Sequence, residues 1–151
     1  MRPSEPSAAR TVSVARVMRG YFVALGPGDS LREAEILMRM GRFRALPVVS
    51  AERLAGMLHY APLVRWLLQA RPVSSDGVDR RLRDLQVAAL MDAKPAVTEP
   101  EASLDEAAAR LVESDGGCLP VVDREGRVVG ILTESDLLRR TLAAPEAVAS
   151  D

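Results

Sequence analysis

The sequence predicts a mixed α+β fold built from two similar halves. Residues 18–49 recur at residues 91–122 with a constant offset of 73, and ten of the 32 aligned pairs are identical. Chance would give only about two or three identities at this composition. After a slip of one residue the match resumes, pairing 56–65 with 130–139. A unit of about 60 residues buries only about 60% of its unfolded surface, so the two copies are expected to share a core.

Each half is predicted to carry the same elements in the same order. A short apolar helix and a short strand come first, followed by a proline-containing turn, a helix, two strands joined by a tight turn, and a last helix. In the first half, these elements apart from the central helix are expected, in that order, at 14–18, 21–25, Pro27, 46–49, 54–59 and 60–69. In the second half, the same elements are expected at 87–91, 96–98, Pro100, 119–122, 128–133 and 134–142.

Serine side chains are predicted to open the central helix of each half. Ser30 precedes Glu33 by three residues, and Ser103 precedes Glu106 in the same way. This spacing is typical of a capping box, in which the serine hydroxyl accepts a hydrogen bond from the third helical N–H. The resulting unit is strand–helix–strand–strand–helix.

The composition also predicts where the two units begin and end. Units are expected at 12–70 and 84–142, with a linker at 71–83 whose first residues are rich in Pro, Ser and Gly. The segments 1–11 and 143–151 are rich in Ala, Ser or Pro, and we expect them to form flexible tails.

Charge and residue content argue against several classes of protein. The formal net charge is −1, so no global field recruits nucleic acid or an anionic membrane. Cys118 is the single cysteine, which excludes an intrachain disulfide and a structural zinc site. No run of 18 apolar residues occurs, and the N-terminus lacks the apolar core of a signal peptide. We therefore expect a cytoplasmic protein without a metal, without a required cofactor and without a catalytic nucleophile–base pair.

Two stretches of the second half resemble the CBS domain. They are Leu-Pro-Val-Val-Asp at 119–123 and Gly-Ile-Leu-Thr-Glu-Ser-Asp at 130–136, and the resemblance extends over about residues 12–142. It implies a tandem pair whose units pack pseudo-symmetrically through their sheets. It also implies a regulatory homodimer that holds an adenosine-type ligand (AMP, ADP, ATP or S-adenosylmethionine) between its units and acts on a separate partner protein.

The same resemblance implies a ligand site in the second half. Thr133 would meet the phosphate or ribose, Asp136 would bind the ribose hydroxyls, and Ile131 would flank the base. Main chain near Thr98 and Cys118 would address the edge of the base. The chemistry is reasonable, because a carboxylate can accept hydrogen bonds from both vicinal hydroxyls of a ribose. The spacing of Thr133 and Asp136 also fits a helix start that needs no ligand.

The first half departs from this pattern at two positions. His59 stands where the threonine is expected, and Pro62 stands where the aspartate is expected. We therefore expect the first half's site to be degenerate. Arg44 lies just before its Leu-Pro-Val-Val strand, where a basic residue in similar proteins can grip phosphate, although a solvated arginine is the alternative. A ligand-free dimerisation or interaction scaffold remains the alternative function.

Trp66 lies in a stretch, 63–68, that is apolar around almost the whole helix. Such a helix is more apolar than a solvated surface requires. We predict that Trp66 anchors a homodimer interface. The alternative is burial of this helix within one chain.

Overall fold

A computed structural model describes residues 12–69, 74–114 and 116–140. The first half contains α1 (Leu31–Gly41), β1 (Ala45–Ser50), β2 (Arg53–His59) and α2 (Tyr60–Gln69). A helix α3 (Ser75–Asp84) follows, and the second half contains α4 (Leu104–Glu113), β3 (Cys118–Val122), β4 (Val128–Thr133) and α5, described over 134–140. The predicted mixed α+β fold is confirmed, while the predicted tails lie outside the described residues.

Each half contains one antiparallel hairpin with the same register. In the first, Leu46 pairs with Leu58 and Val48 with Gly56; in the second, Leu119 pairs with Leu132. Both hairpins carry an irregularity at the same place, between the two valines of the Leu-Pro-Val-Val motif. The motif therefore forms β1 and β3, as the sequence predicted.

The loops of the two hairpins explain the one-residue slip in the repeat. Ala51 and Glu52 form a two-residue loop, and both have positive φ, at 50° and 68°. The second loop has one more residue and ends at Gly126, with φ 82°, before Asp123 and Arg127 close it with a backbone hydrogen bond of 2.9 Å. These are the two commonest hairpin solutions, and they differ in length by one residue.

The predicted serine caps are present at both central helices. The Ser30 hydroxyl accepts a hydrogen bond from the Glu33 N–H at 3.1 Å, and the Ser103 hydroxyl accepts one from Glu106 at 3.1 Å. Ser74 caps α3 in the same manner through the Gly77 N–H at 3.1 Å. Each cap satisfies one of the unpaired donors in the first helical turn.

Two local predictions differ from the structure. The short strands expected at 21–25 and 96–98 are reduced to single bridges, Leu25 to Val48 and Thr98 to Val121. The composition of residues 71–77 predicts a loop, and this is wrong beyond residue 74, because α3 begins at Ser75; residues 71–73 lie outside the described residues. The cap at residue 74 compensates for the glycine in the first turn, and Leu82 anchors the helix in the first half's core.

The segment that precedes each half packs onto the opposite half. We call residues 12–19 and 85–92 the lead-in segments. Arg19 and Ile131 exchange two backbone hydrogen bonds, of 2.9 and 3.0 Å, and Asp92 and Met57 exchange equivalent bonds of 2.8 and 2.9 Å. The Leu31 N–H at the start of α1 donates to the carbonyl of residue 85 at 2.9 Å. Neither half is therefore complete without a segment from the other half of the repeat.

The apolar core of each half also includes a residue from the lead-in segment that packs onto it. One apolar cluster joins α1, β1, β2 and α2 to Leu82 and Val87, and a second joins α4, β3 and β4 to Val14. A third, smaller cluster lies between the two hairpins and contains Ala45, Met57, Cys118 and Ile131, with Phe22 packed against it. The hairpins thus pack against each other through a shared apolar layer.

Trp66 is half-buried within its own chain. It packs against the first half's apolar cluster, and the Arg81 guanidinium lies 5.1 Å from the centroid of its ring. This arrangement corresponds to the alternative of burial within one chain. The interface role of Trp66 stays a prediction, and on the same helix Leu68 is the large apolar side chain that is mostly exposed.

Gly56 and Gly130, an identical pair of the repeat, lie where a lead-in segment crosses a strand. A Cβ at Gly130 would come within 2.9 Å of the Arg19 carbonyl and 2.7 Å of the Met18 sulfur. A Cβ at Gly56 would come within 2.5 Å of the Asp92 carbonyl. Because backbone cannot move aside as a flexible side chain can, these positions require a residue without a Cβ.

We expect Gly130→Ala to lower the free energy of unfolding by about 1–3 kcal/mol, the usual cost of overpacking. Gly28→Ala is the matched control, because no atom lies within 4 Å of a Cβ there. Urea unfolding followed by circular dichroism measures both variants. Equal stability of Gly130→Ala and Gly28→Ala would contradict the close approach of the lead-in segment.

Candidate functional site

A cleft of about 350 Å³ lies between the two halves. We call it the aromatic cleft. Its walls come from four stretches: 19–23, 41–47, 116–118 and 131–135. The first two belong to the first half and its lead-in segment, and the last two belong to the second half. The cleft therefore exists only because the halves pack together.

The end of α1 shapes one wall of this cleft. The helix ends at Gly41, Arg42 takes a left-handed φ of 56°, and the Phe43 N–H donates to the Met38 carbonyl at 2.9 Å. The Phe43 ring lies directly over Gly41, where any Cβ would collide with it. The turn thus directs Phe43 and the two arginines that flank it toward the cleft.

Aromatic side chains are concentrated here. The chain has five aromatic residues, and Tyr21, Phe22 and Phe43 all line the cleft. Phe22 packs against the apolar layer between the hairpins, whereas Tyr21 is 98% exposed at the cleft's edge. Flat aromatic faces of this kind can stack on a planar heterocyclic ring.

Arginines give the cleft a positive charge. Among the described residues, Arg19, Arg42 and Arg44 line it, and Glu134 is the one carboxylate of the lining. The Arg44 carbonyl accepts a hydrogen bond from the Tyr60 N–H at 2.8 Å, which fixes its main chain at the start of β1. A guanidinium group binds phosphate through paired N–H donors, so this lining suits an anionic ligand.

The structure brings four of the six predicted site residues together. Arg44, Cys118, Ile131 and Thr133 line the aromatic cleft. Thr98 does not line it. Its side chain is fully buried, its N–H donates to Pro120 at 3.0 Å and its carbonyl accepts from Val122 at 2.8 Å. The main-chain N–H and carbonyl of Thr98 are thus already hydrogen-bonded to β3. Its hydroxyl has no partner among the described residues.

Asp136 lies beside the cleft rather than in its wall. Its side chain is buried, and one oxygen, Oδ2, accepts from the Thr133 N–H and hydroxyl, both at 2.9 Å. The other, Oδ1, accepts from Arg19 Nε at 2.8 Å and from Arg139. Burial raises the pKa of Asp136, but hydrogen bonds from Arg19 and Thr133 outweigh it, and the pKa lies below its usual value.

A second cleft of about 430 Å³ is related to the first by the repeat. Met57, His59 and Pro62 line it at the positions equivalent to Ile131, Thr133 and Asp136. Its charged lining is acidic, from Asp92 and Glu113. None of the described residues that line this cleft is an arginine, and Pro62 supplies no carboxylate at the position of Asp136.

Cys118 lines both clefts from the apolar layer between the hairpins. The residue is only 8% exposed. Burial, with the nearby Asp136 charge, raises the pKa of its thiol from an ordinary value of 9.0 to about 12. The thiol is therefore protonated at neutral pH and acts as a small apolar wall.

Sequence reasoning missed several residues of the cleft. Arg19, Tyr21, Phe22, Arg42 and Phe43 were not predicted. A usable signal existed, because most of the chain's few aromatic residues fall in two short stretches that precede the first half's helix and its first strand. Nothing in the one-dimensional pattern indicates that those stretches meet β4 of the other half.

The sequence pattern of the CBS domain matches residues 14–68 and 87–143. The chain is a tandem pair of CBS domains. It is 31% identical over 125 residues to the protein MJ1225 of Methanocaldococcus jannaschii, a match that covers 82% of this chain and 44% of MJ1225. The chain thus spans less than half of that curated relative.

Solved CBS structures share the fold. CBSX2 from Arabidopsis thaliana superposes with a TM-score of 0.77 at 24% identity, covering 90% of this chain and 98% of that chain. The structure of CBSX2 in complex with AMP has a TM-score of 0.72 at 26% identity, covering 88% and 98%. The CBS domain pair of MJ0100, solved with 5′-methylthioadenosine and S-adenosylmethionine, has a TM-score of 0.70 at 20% identity, covering 86% and 99%.

The described part of the CBS pair contains neither a membrane-spanning helix nor a group of metal ligands. Within residues 12–69, 74–114 and 116–140, no helix combines the length and apolar character that crossing a bilayer demands. In the same ranges, no three His, Cys, Asp or Glu side chains gather in a way that could hold a metal ion.

We expect the Cys118 thiol to react with Ellman's reagent at pH 8 at least a hundredfold more slowly in the folded protein than in urea. The shift of the thiol pKa lowers the thiolate fraction by roughly a thousandfold, and burial blocks access. The linked loss of stability should appear as the pH rises from about 9 toward 12, and Cys118→Ala should lack it. Native and unfolded rates within tenfold of each other would show that the thiol is accessible.

Proposed function

We propose that this CBS pair is a regulatory module that binds one adenosine-containing nucleotide in the aromatic cleft and transmits binding to a separate partner protein. The observation that carries the proposal is the concentration of three aromatic rings and three arginines in one cleft between the halves. The rings suit a purine base, and the arginines suit phosphate. The AMP complex of CBSX2, a structurally similar protein, supports the same ligand class.

Four residues carry the predicted contacts. Thr133 and Arg44 face the phosphate or ribose, Ile131 flanks the base, and the main chain near Cys118 addresses the edge of the base. Asp136 serves the ribose only after its Oδ1 exchanges a guanidinium partner for sugar hydroxyls. We leave Thr98 out of the proposed site, because its main-chain groups are hydrogen-bonded to β3.

A ligand would alter the packing between the halves, because the cleft's walls come from both. Binding that favours one arrangement of the halves shifts the population toward it, and a partner that recognises this arrangement reads the signal. The proposal therefore needs no chemical step and no catalytic residue.

One observation favours a ligand-free scaffold as the second candidate. Asp136 is already engaged on both oxygens by Thr133, Arg19 and Arg139, so the fold is satisfied without a sugar. In that case the contacts between Thr133 and Asp136 would serve only the start of α5. The two candidates differ in whether an adenosine compound stabilises the protein.

We expect AMP, ADP or ATP to raise the melting temperature by roughly 5–10 °C at 100 times its dissociation constant, which corresponds to about 2.7 kcal/mol. S-adenosylmethionine and NAD are tested in parallel. Arg44→Gln should reduce the nucleotide shift at least fivefold without changing the ligand-free melting temperature. Arg53→Gln, on the exposed hairpin turn, is the charge-matched control.

Asp136→Ala should behave differently from Arg44→Gln. It should abolish the shift and also lower the ligand-free stability by about 1–3 kcal/mol, because the Thr133 N–H loses its charged acceptor. No shift with any of the five compounds for the wild-type protein would support the scaffold instead.

A further inference from the structure

A groove rich in arginine adjoins the aromatic cleft on the second half. We call it the arginine groove. It has a volume of about 350 Å³ and lies between the first lead-in segment and α5. Its lining consists of Arg16, Val17, Arg19, Asp136, Arg139 and Arg140.

The groove carries a large excess of positive charge. Its lining, counted over the residues that the structure describes, contains four guanidinium groups and one carboxylate. Arg19 and Arg139 both bind Asp136 Oδ1, while Arg16 and Arg140 have no carboxylate within salt-bridge distance among the residues that the structure describes. The whole chain has a net charge of −1, so this charge is local and would be felt mainly by a ligand in direct contact.

Asp136 holds two of the arginines in place. Its side chain is only 3% exposed, and Thr133 fixes its orientation through two hydrogen bonds. A buried acceptor with a fixed position orders the guanidinium groups of Arg19 and Arg139 before any ligand arrives. Preorganised donors of this kind lose less entropy on binding than free side chains do.

Arg19 connects the groove to the aromatic cleft. It lines both cavities, and its main chain is clamped by two hydrogen bonds to Ile131, a residue of the cleft wall. The two cavities therefore meet at one residue, whose main chain is held by Ile131 and whose guanidinium group is held by Asp136.

We propose that the arginine groove binds a polyphosphate chain, so that the nucleotide of the aromatic cleft is a nucleoside di- or triphosphate whose terminal phosphates lie in the groove. This inference rests on the proposed function for the base and sugar. Paired guanidinium N–H donors match phosphate oxygens, and the phosphates supply the negative charge that the groove lacks. A monophosphate would leave Arg16 and Arg140 unused.

Isothermal titration calorimetry with adenosine, AMP, ADP, ATP and inorganic tripolyphosphate tests this inference. The variant is the double substitution Arg16→Gln with Arg140→Gln, because both side chains are exposed and neither lines the aromatic cleft. The control is Arg53→Gln with Arg124→Gln, which removes two exposed charges from the hairpin turns. Ligand-free melting temperatures establish that all three proteins are folded alike.

For the wild type we expect ATP to bind at least tenfold more tightly than AMP. The groove variant should lose at least tenfold in affinity for ATP and less than twofold for AMP, and the control should bind ATP as the wild type does. Equal affinity of ATP and AMP, or equal loss of both in the groove variant, would overturn the inference and leave the proposed function standing.

The tripolyphosphate titration separates the two proposals. One outcome is that tripolyphosphate binds the wild type but not the groove variant, while no adenosine compound binds more tightly than tripolyphosphate does. In that outcome the groove is a site for free polyphosphate. The groove would then stand, and the proposed nucleotide function would fall. If neither tripolyphosphate nor any nucleotide binds, both proposals are wrong.

Discussion

The reciprocal exchange of the lead-in segments is the constraint on which the rest of this structure depends. Each segment supplies backbone hydrogen bonds to a strand of the opposite half, at Arg19 with Ile131 and at Asp92 with Met57. Each also places an apolar side chain in the opposite core, as Val14 and Val87 do. A half that lost its partner's segment would expose a strand edge and part of its core, so the halves are expected to fold as one cooperative unit.

The same exchange builds the candidate site and determines its asymmetry. Two clefts arise from one repeated backbone plan, and the residues at equivalent positions give them opposite charge. Arg19 is replaced by Asp92 and Thr133 by His59, while Asp136 is replaced by Pro62. Both halves keep the same architecture, because each uses the same reciprocal backbone hydrogen bonds between a lead-in segment and a strand. Those bonds use main-chain atoms, so the side chains of Arg19 and Asp92 can differ without disturbing them.

Asp136 contributes both to the fold and to the proposed ligand site. Its contacts with Thr133 serve the start of α5, and its contacts with Arg19 and Arg139 order the arginine groove. A sugar hydroxyl that donates to the same carboxylate would have to displace a charge-assisted hydrogen bond from an arginine. The net gain on binding would then be only the difference between the new hydrogen bond and the one it replaces. A phosphate that takes over the guanidinium of Arg19 would remove that competition. For the proposed site, this competition is the physical reason to expect that the charge of a ligand affects its affinity.

By itself the sequence determined the duplicated α+β plan, both hairpins and the serine caps, because these depend on local periodicity and on chemistry within three or four residues. Through its resemblance to the CBS family, the sequence also predicted Arg44, Cys118, Ile131 and Thr133 as site residues, and these four line the aromatic cleft. Only the tertiary structure decided that the main-chain groups of Thr98 are hydrogen-bonded to β3, that Asp136 pairs with Arg19, and that three aromatic rings meet in one cleft. The contacts of Asp136 and of the aromatic rings join residues about 75 to 117 positions apart and exist only because the halves pack together, whereas Thr98 and β3 are about 22 to 24 positions apart. No short-range pattern encodes any of these contacts.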